Sequence, residues 1–472
     1  MPLVKSITLK RINILAAFYF SISILPASFF NPLQAQDNSP YSRYGLGDVV
    51  PSNNITSRAM GGINAAYNDF LSINFNNPAS YGSFQTVKEP KAKKISYGRA
   101  ILDVGINLET RTLSEPNVIG KFTASNLLFS HLQVAFPLKP NWGFSFGLRP
   151  LSRISYKISE LELLKDPYTN LPIDTAVTLY EGSGGSFLAS AGTGFKFKLG
   201  EKSTLALGVN GGYLFGKKDI STRRSIFNDS LSYNSGNFQT VTNYGNFYAN
   251  AGLQFMTEVK PKTLYLTIGA YGSWNHKLNA TQDVIRETYF YDEFSGNTRL
   301  DSVFEQKDIK GKIEYPASYT VGFALERYVD FEKKKAGWLV GVDYEQSNWN
   351  DYNFYGQSDA TVRNSSKLKI GGQLRPVPKK NYFSNVAYRA GFYFGKDYIY
   401  VNNTDLPVMG VSLGMGLPVF NYTRLSAAQT IVNIAFEFIK RGNNDNLLKE
   451  NQFRLSLGLS LSDSWFVRKK YD

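Results

Sequence analysis

Asn451-Gln452-Phe453-Arg454-Leu455-Ser456-Leu457-Gly458-Leu459-Ser460-Leu461 alternates without a break. Phe453, Leu455, Leu457, Leu459 and Leu461 share one face, and Gln452, Arg454, Ser456, Gly458 and Ser460 share the other. Side chains of a strand alternate at period two, so the segment reads as a strand with one apolar and one wet face. Back toward Ile95 the same pattern recurs, giving fourteen strands at about 95–107, 122–136, 141–156, 185–198, 203–217, 244–258, 262–275, 317–328, 337–349, 365–375, 386–396, 408–418, 431–440 and 451–461. Each can cross a bilayer at a tilt, which takes about nine to eleven residues.

The connections between these strands alternate in length. Lys139-Pro140-Asn141, Gly200-Glu201-Lys202, Lys260-Pro261-Lys262 and Asp330 to Ala336 are tight, whereas 157–184, 218–243 and 276–316 are long and polar. An even strand number, an apolar outside, a polar inside and one-sided long loops describe an all-β, 14-stranded antiparallel transmembrane β-barrel of the bacterial outer membrane. Both chain ends are then expected on the short-turn, periplasmic side. Segments 219–241 and 284–306 also alternate and read as strands running past the membrane.

Composition agrees with this class. Aromatics are 15% of the 472 residues, with 34 Phe and 30 Tyr, and only 19% are charged. Such residues suit pleated surface and membrane interfaces. A mean hydropathy of −0.25 excludes a helical membrane bundle but not a barrel, in which every second residue faces lipid. Lys5, Lys10 and Arg11 precede an apolar run from Ile12 to Phe30, and Leu33-Gln34-Ala35 offers a cleavage site. Residues 1–35 therefore read as a signal peptide, with a retained anchor helix as the alternative. Their removal lowers the formal charge from +14 to about +11. The positive residues are dispersed and follow an export signal, which argues for anionic lipid and lipopolysaccharide around the barrel rather than nucleic acid. The chain has no Cys, so disulfides, thiolate metal sites and Cys nucleophiles are excluded.

Residues 36–94 are rich in Asn, Ser, Gly and Pro yet carry Ile55, Met60, Ile63, Tyr67, Phe70, Ile73 and Phe75. They are expected to form a compact N-terminal hatch inside the lumen, leaving 95–472 as barrel; a periplasmic extension is the alternative. In the third strand, Trp142, Phe144, Phe146 and Leu148 face out, while Gly143, Ser145, Gly147, Arg149, Arg153 and Ser155 face in. Pro150 interrupts it. Proline donates nothing to a ladder, so Gly147 and Pro150 mark a kink that opens a lateral gate, or else Pro150 lies just above the membrane.

These features together resemble the FadL-type family of outer-membrane long-chain fatty-acid and hydrocarbon transporters. The resemblance rests on Ser57-Arg58-Ala59-Met60-Gly61-Gly62, on Asn68-Asp69, and on Asn76-Asn77-Pro78-Ala79-Ser80. It continues through Tyr315-Pro316-Ala317-Ser318-Tyr319 and through Val342-Asp343-Tyr344-Glu345 followed by Trp349. The family's hatch is similar to Gly61, Gly62, Asn77, Pro78 and Ala79. The resemblance covers residues 41–472. It departs in the basic tail after Trp465-Phe466 and in long loops that do not match.

What the resemblance implies is a monomeric carrier of fatty acids, hydrocarbons or similar hydrophobic molecules, without cofactor, that captures ligand between loops and releases it sideways. Arg149, Arg153, Phe144 and Phe146 are the candidate ligand contacts beside the kink. Loop aromatics Tyr168, Tyr180, Phe227, Tyr233, Phe238, Tyr289, Phe290, Tyr291 and Phe294 are candidates for capture or for packing among themselves. Inward Arg149, Arg153, Lys369, Arg375, Arg389 and Arg454 oppose Glu326, Asp343, Glu345 and Glu437, and such mixed charges can pair and hold the hatch.

Three other functions compete. An outer-membrane lipase needs a Ser beside a His, and only His131 (in Ser130-His131-Leu132) and His276 exist. Two histidines and no thiol also make a transition-metal site a poor expectation. A polar-solute porin has no use for a plug, while a structural or secretion-associated barrel would use its long loops to recruit partners.

Overall fold

The computed structural model describes residues 39–69, 71–87, 97–115, 120–228, 231, 233–292, 296–419 and 429–465. The expected signal peptide lies outside them. Fourteen wall strands follow one another around a closed antiparallel sheet. The first four are Tyr97–Ser114 (β1), Phe122–Lys139 (β2), Trp142–Lys165 (β3) and Pro172–Leu199 (β4). Ser203–Phe227 (β5), Ser235–Lys260 (β6), Leu264–Ser273 (β7), Ser318–Arg327 (β8) and Gly337–Ser347 (β9) continue the wall. Ser365–Arg375 (β10), Ala387–Val401 (β11), Thr404–Val419 (β12), Gln429–Arg441 (β13) and Lys449–Trp465 (β14) complete it. β14 closes on β1 in a long antiparallel register that sets Leu455 against Leu108. Closure removes the sheet's outer edges, the condition for a sheet to span a bilayer, apart from a local break between β2 and β3.

The alternation in the sequence sets the two faces. Phe453, Phe438, Leu413, Phe392 and Leu207 are exposed on the outer surface, whereas Gln452, Arg454, Ser456 and Glu437 are buried in the bore. Apolar side chains on the outside and polar ones inside are the reverse of a soluble core and fit hydrocarbon surroundings. The protein is an outer-membrane β-barrel.

Strands β3 to β6 run 24, 28, 25 and 26 residues, about twice what a crossing requires. The excess stands above the membrane at the end bearing the long connections, as the alternation of 219–241 predicts. β7 and β8 are short because the chain bends at Trp274-Asn275 and again at Pro316-Ala317. Between the bends it extends as a hairpin, His276–Asp292 and Gly296–Tyr315. β6 pairs with this hairpin up to Gly245–Asn279 and with β7 from Ala251–Gly272. Across the interval, side chains take over: the Ala249 amide donates to His276 Nε2 (3.0 Å), and the Ala317 amide to Asn275 Oδ1 (2.6 Å).

A second irregularity lies between β2 and β3. Their ladder ends at Leu132–Leu148, two residues short of Pro150. On the other side, β3 meets β4 through a bulge between Pro150 and Ser152. Gly185, φ +140°, backs this bulge, and a Cβ there would sit 2.4 Å from the Ser152 carbonyl oxygen, so only glycine fits. Above the bulge, β3's free edge is taken by the chain's own beginning. Asp48 and Val49 pair with Arg153 and Ser152, and the Val50 and Ser39 amides donate to the Leu151 and Ser155 carbonyls at 3.0 and 3.1 Å.

Residues 39–69 and 71–87 run through the bore and are mostly buried. The wall is built to receive them. A Cβ on Gly269, Gly371 or Gly391 would stand 1.9–2.0 Å from backbone atoms of Ala65, Met60 or Gly61. Ser39 lies beside Glu450 and Ser155, toward the loop end, whereas β1 starts at the short-turn end.

Candidate functional site: the hatched bore and the seam beside Pro150

The hatch segment is shaped by asparagine caps. The Asn54 side chain accepts from the Ser57 amide (2.8 Å) and starts the one-turn helix Ile55–Arg58. Asn77 does the same for the 3-10 turn Pro78–Ser83 and donates from Nδ2 to the Ala65 carbonyl (2.7 Å). The helix delivers Arg58, 1% exposed, to the centre of the wall. Its guanidinium donates to Asn107 Oδ1 (2.5 Å), Ser456 Oγ (3.2 Å), Ser130 Oγ (3.3 Å) and the Pro51 carbonyl (2.7 Å), and lies 3.8 Å from Glu437.

Further charges fasten the same segment. Asp343 accepts from the Asn64 and Ala65 amides (2.6 and 2.8 Å), and Arg375 pairs with Asp69 (2.9 Å). Near the loop end Asp48 lies between Arg441 (2.7 Å) and Arg111 (3.0 Å), with Glu450 3.2 Å from Arg441. Within the wall Arg454 pairs with Glu109 (2.5 Å) and Lys369 with Glu345 (2.6 Å). Removing one partner of such a buried pair leaves an uncompensated charge, at a cost of about 3–5 kcal/mol. The lumen charges thus hold the chain's beginning in the bore.

Above this polar layer the mouth is filled. Leu46 and Tyr41 from the N-terminal segment pack with Leu151, Leu214, Tyr244 and Tyr398 in one buried apolar cluster. Trp349 stacks on Tyr398 with ring centroids 4.2 Å apart, and the Tyr398 hydroxyl donates to the Gly47 carbonyl (2.6 Å). Below lies a chamber of about 200 Å³ whose lining includes Arg149, Asn250, Tyr271, Glu345 and Lys369. The seam between β2 and β3 holds only about 30 Å³, enclosed by Asp48, Val49, Glu109, Arg111, Leu128 and Arg153. Little more than a water fits there.

The residues singled out in the sequence fall in three places. Arg149 lines the chamber and donates from Nη1 to Asn76 Oδ1 (2.8 Å), while Arg153 stands at the seam. Gly147 and Pro150 bracket the point where the β2–β3 ladder stops, and the Gln133 side chain crosses Gly147 where a Cβ would be. Gly61, Gly62, Asn77, Pro78 and Ala79 are buried in the bore. Phe144 and Phe146 do not join the chamber. They stand on the outer face in a row with Phe136, at 5.6 and 6.3 Å between successive centroids, because strand alternation sends them opposite to Arg149.

Of the loop aromatics, Tyr168, Phe227, Phe238 and Phe290 are exposed above the barrel and do not converge on the bore. The side chains of Tyr291 and Phe294 lie outside the described residues. Of the aromatics that fill the mouth, Trp349 was noted only as the end of the motif that begins at Val342, and Tyr41, Tyr352 and Tyr398 escaped the sequence reading. Arg58 was noted only within its motif.

The lipase expectation meets a specific arrangement. Ser130 Oγ is 3.1 Å from His131 Nδ1, and His131 Nε2 is 3.4 Å from Asp103 Oδ1. All three are buried, with His131 at 0% exposure. Arg58 donates to Ser130 and Ser460 Oγ to Asp103, so the set is spent tying hatch to wall, where no ester can reach it. Among the described residues no group of acidic and histidine side chains is arranged to hold a metal.

The family model described as BamG matches residues 10–472. No curated protein matches the chain. Among solved structures, the chain is similar to a Pseudomonas aeruginosa FadL homologue at 12% identity and TM-score 0.51, over 89% of this chain and 100% of that one. It is also similar to the CymD monoaromatic hydrocarbon channel, at 14% identity and TM-score 0.46 over 89% and 98%. The Pseudomonas putida toluene transporter TodX matches at 14% and 0.46 over 88% and 99%. The first of these likenesses gives the chain a FadL-like barrel fold.

Proposed function

The chain belongs to the BamG family, and we propose that it carries small hydrophobic molecules, long-chain fatty acids or hydrocarbons, and releases them sideways between β2 and β3. The observation that supports this is the seam. The wall ladder stops at Leu148, before Pro150, and what covers the free edge of β3 is the two-residue strand Asp48–Val49 rather than β2. A gap in a barrel wall is costly unless covered, so a cover made from the chain's own beginning provides a gate. A lipid-like molecule gains roughly 0.8 kcal/mol per buried methylene, and a path opening into the bilayer keeps that gain where an aqueous pore would lose it.

In this reading ligand enters at the loop end, loosens the apolar cluster around Leu46 and Trp349, and displaces residues 39–51 from β3. The barrel acts as a monomer, without cofactor and without bond chemistry of its own. Anionic outer-membrane lipid and lipopolysaccharide surround it; the end of β14 points toward the periplasm, whereas Ser39 lies toward the loop end, opposite to the expectation for the N-terminal side. Lipid extraction and mass spectrometry of the purified protein tests the proposal. Fatty acids or hydrocarbons enriched over the bulk membrane support it, and bulk composition alone contradicts it.

One observation favours a second reading. The mouth is filled by apolar side chains, the seam is narrow, and the chamber mixes charged side chains with Leu151, Tyr271 and Trp349 instead of offering a purely apolar path. A barrel with a sealed bore can serve as a structural or secretion-associated component that works through its outer and loop-end surfaces. That reading predicts a stoichiometric protein partner on purification from native membranes and no enriched ligand.

A further inference from the structure

The structure assigns the chamber behind Pro150 as a binding site for one small monovalent anion, of halide or single-carboxylate class. Four cations line it, Arg58, Arg149, Lys367 and Lys369, against two carboxylates, Glu345 and Glu437. Glu345 is engaged by Lys369 at 2.6 Å, and Glu437 lies between Arg58 (3.8 Å) and Arg454 (3.3 Å). Arg149 has no carboxylate partner among the described residues. It is 4% exposed, its Nη1 donates to Asn76, its plane rests over the Phe75 ring at 4.8 Å, and its Nε meets no acceptor.

A buried guanidinium with a spare N–H and no counter-charge is costly. Arg58, Arg111 and Arg441 also leave an N–H unmatched, but each has a carboxylate within 3.8 Å. Arg389, without a carboxylate among the described residues, has acceptors at both Nε and Nη1. Arg149 combines the two deficits. An anion in the chamber supplies what is missing. The tyrosines and Asn250 beside Arg149 add polar walls to the same space. Size limits the occupant. About 200 Å³ is below the roughly 300 Å³ at which pockets for drug-sized ligands begin, so the chamber suits an ion and a few waters rather than a whole acyl chain. Since Arg149 also holds Asn76 of the hatch, the ion would tie the hatch to β3 one residue from Pro150. The assignment stands apart from the carriage proposed above, because it concerns the closed state.

Bromide is the probe. Anomalous scattering from crystals of the full chain grown with bromide as the sole halide should show a peak within hydrogen-bonding reach of the Arg149 guanidinium. A map with no peak in the chamber overturns the assignment. In detergent at constant ionic strength, rising bromide should raise Tm of the wild type with the logarithm of its concentration. Arg149→Met should abolish that rise, and Arg149→Lys, which keeps the charge, should retain it. Equal rises in all three overturn the site.

Discussion

Asp48 and Arg153 face each other as partners in a ladder that the barrel's second strand does not supply. The contact joins the beginning of the chain to the wall strand at the one place where that strand has lost its neighbour. Opening the seam in the proposed release would require the hatch segment to move, and its closed position is held by Arg111 and Arg441 from other wall strands, which grip Asp48.

Val50→Pro tests this dependence. It removes the amide that donates to the Leu151 carbonyl, a loss of about 1 kcal/mol. Hydrogen exchange should speed up at Ser155, whose amide donates to Ser42 Oγ, while amides of β13 and β14 stay protected. Unchanged exchange at Ser155 would show that the segment does not act as a cover.

Arg58→Met removes the hydrogen bonds that centre the hatch and strips Glu437 of one of its two cations. Arg454 remains, so the expected loss is about 3 kcal/mol, toward the lower end for a broken buried pair. Chemical denaturation of the refolded barrel measures it. A variant as stable as wild type would mean that the hatch is held by other contacts alone.

Gly391→Val places a Cβ 2.0 Å from the Gly61 nitrogen, where hatch and wall backbones touch. Overpacking of this kind costs about 1–3 kcal/mol. Tm should fall, and it should not fall in Gly120→Val, where a Cβ meets nothing within 4 Å.

The hairpin above the membrane carries a pH-sensitive contact. Hydrogen bonds from Lys307, then Arg299, hold Glu305 down to about 2 from the ordinary 4.5. A carboxylate lowered on folding stabilises above its unfolded value, and the stabilisation is lost as pH falls through the folded one. The hairpin around Glu305 should therefore be as well protected at pH 5 as at neutral pH and lose part of that protection between about pH 4.5 and 2. Glu305→Gln should remove that dependence.

The wall was legible because its information is local. Each strand's two faces are written at period two, as in Phe453 to Leu461, and turns such as Lys139-Pro140-Asn141 separate them. Pro150 announced a ladder defect because it lacks an amide hydrogen. The partners inside the bore were not legible. Arg58 meets Asn107, Ser130 and Glu437, and nothing in the residues around Arg58 specifies side chains so far along the chain. The aromatic stopper was hidden for the same reason, since Tyr41, Trp349 and Tyr398 come from three separate segments. Phe144 and Phe146 face outward, as their alternation with Arg149 dictates, and any contact they make with ligand would lie on the lipid side of the seam.

Lateral passage through the seam is most directly tested by holding it shut. The chain has no Cys, so Val49→Cys with Leu128→Cys introduces a unique pair, one on each side of the seam. A short, reducible bis-thiol linker would join them. Uptake of a fluorescent long-chain fatty acid into proteoliposomes should stop when the linker is closed and return when it is reduced. Uptake that continues unchanged with residues 49 and 128 joined would contradict release between β2 and β3.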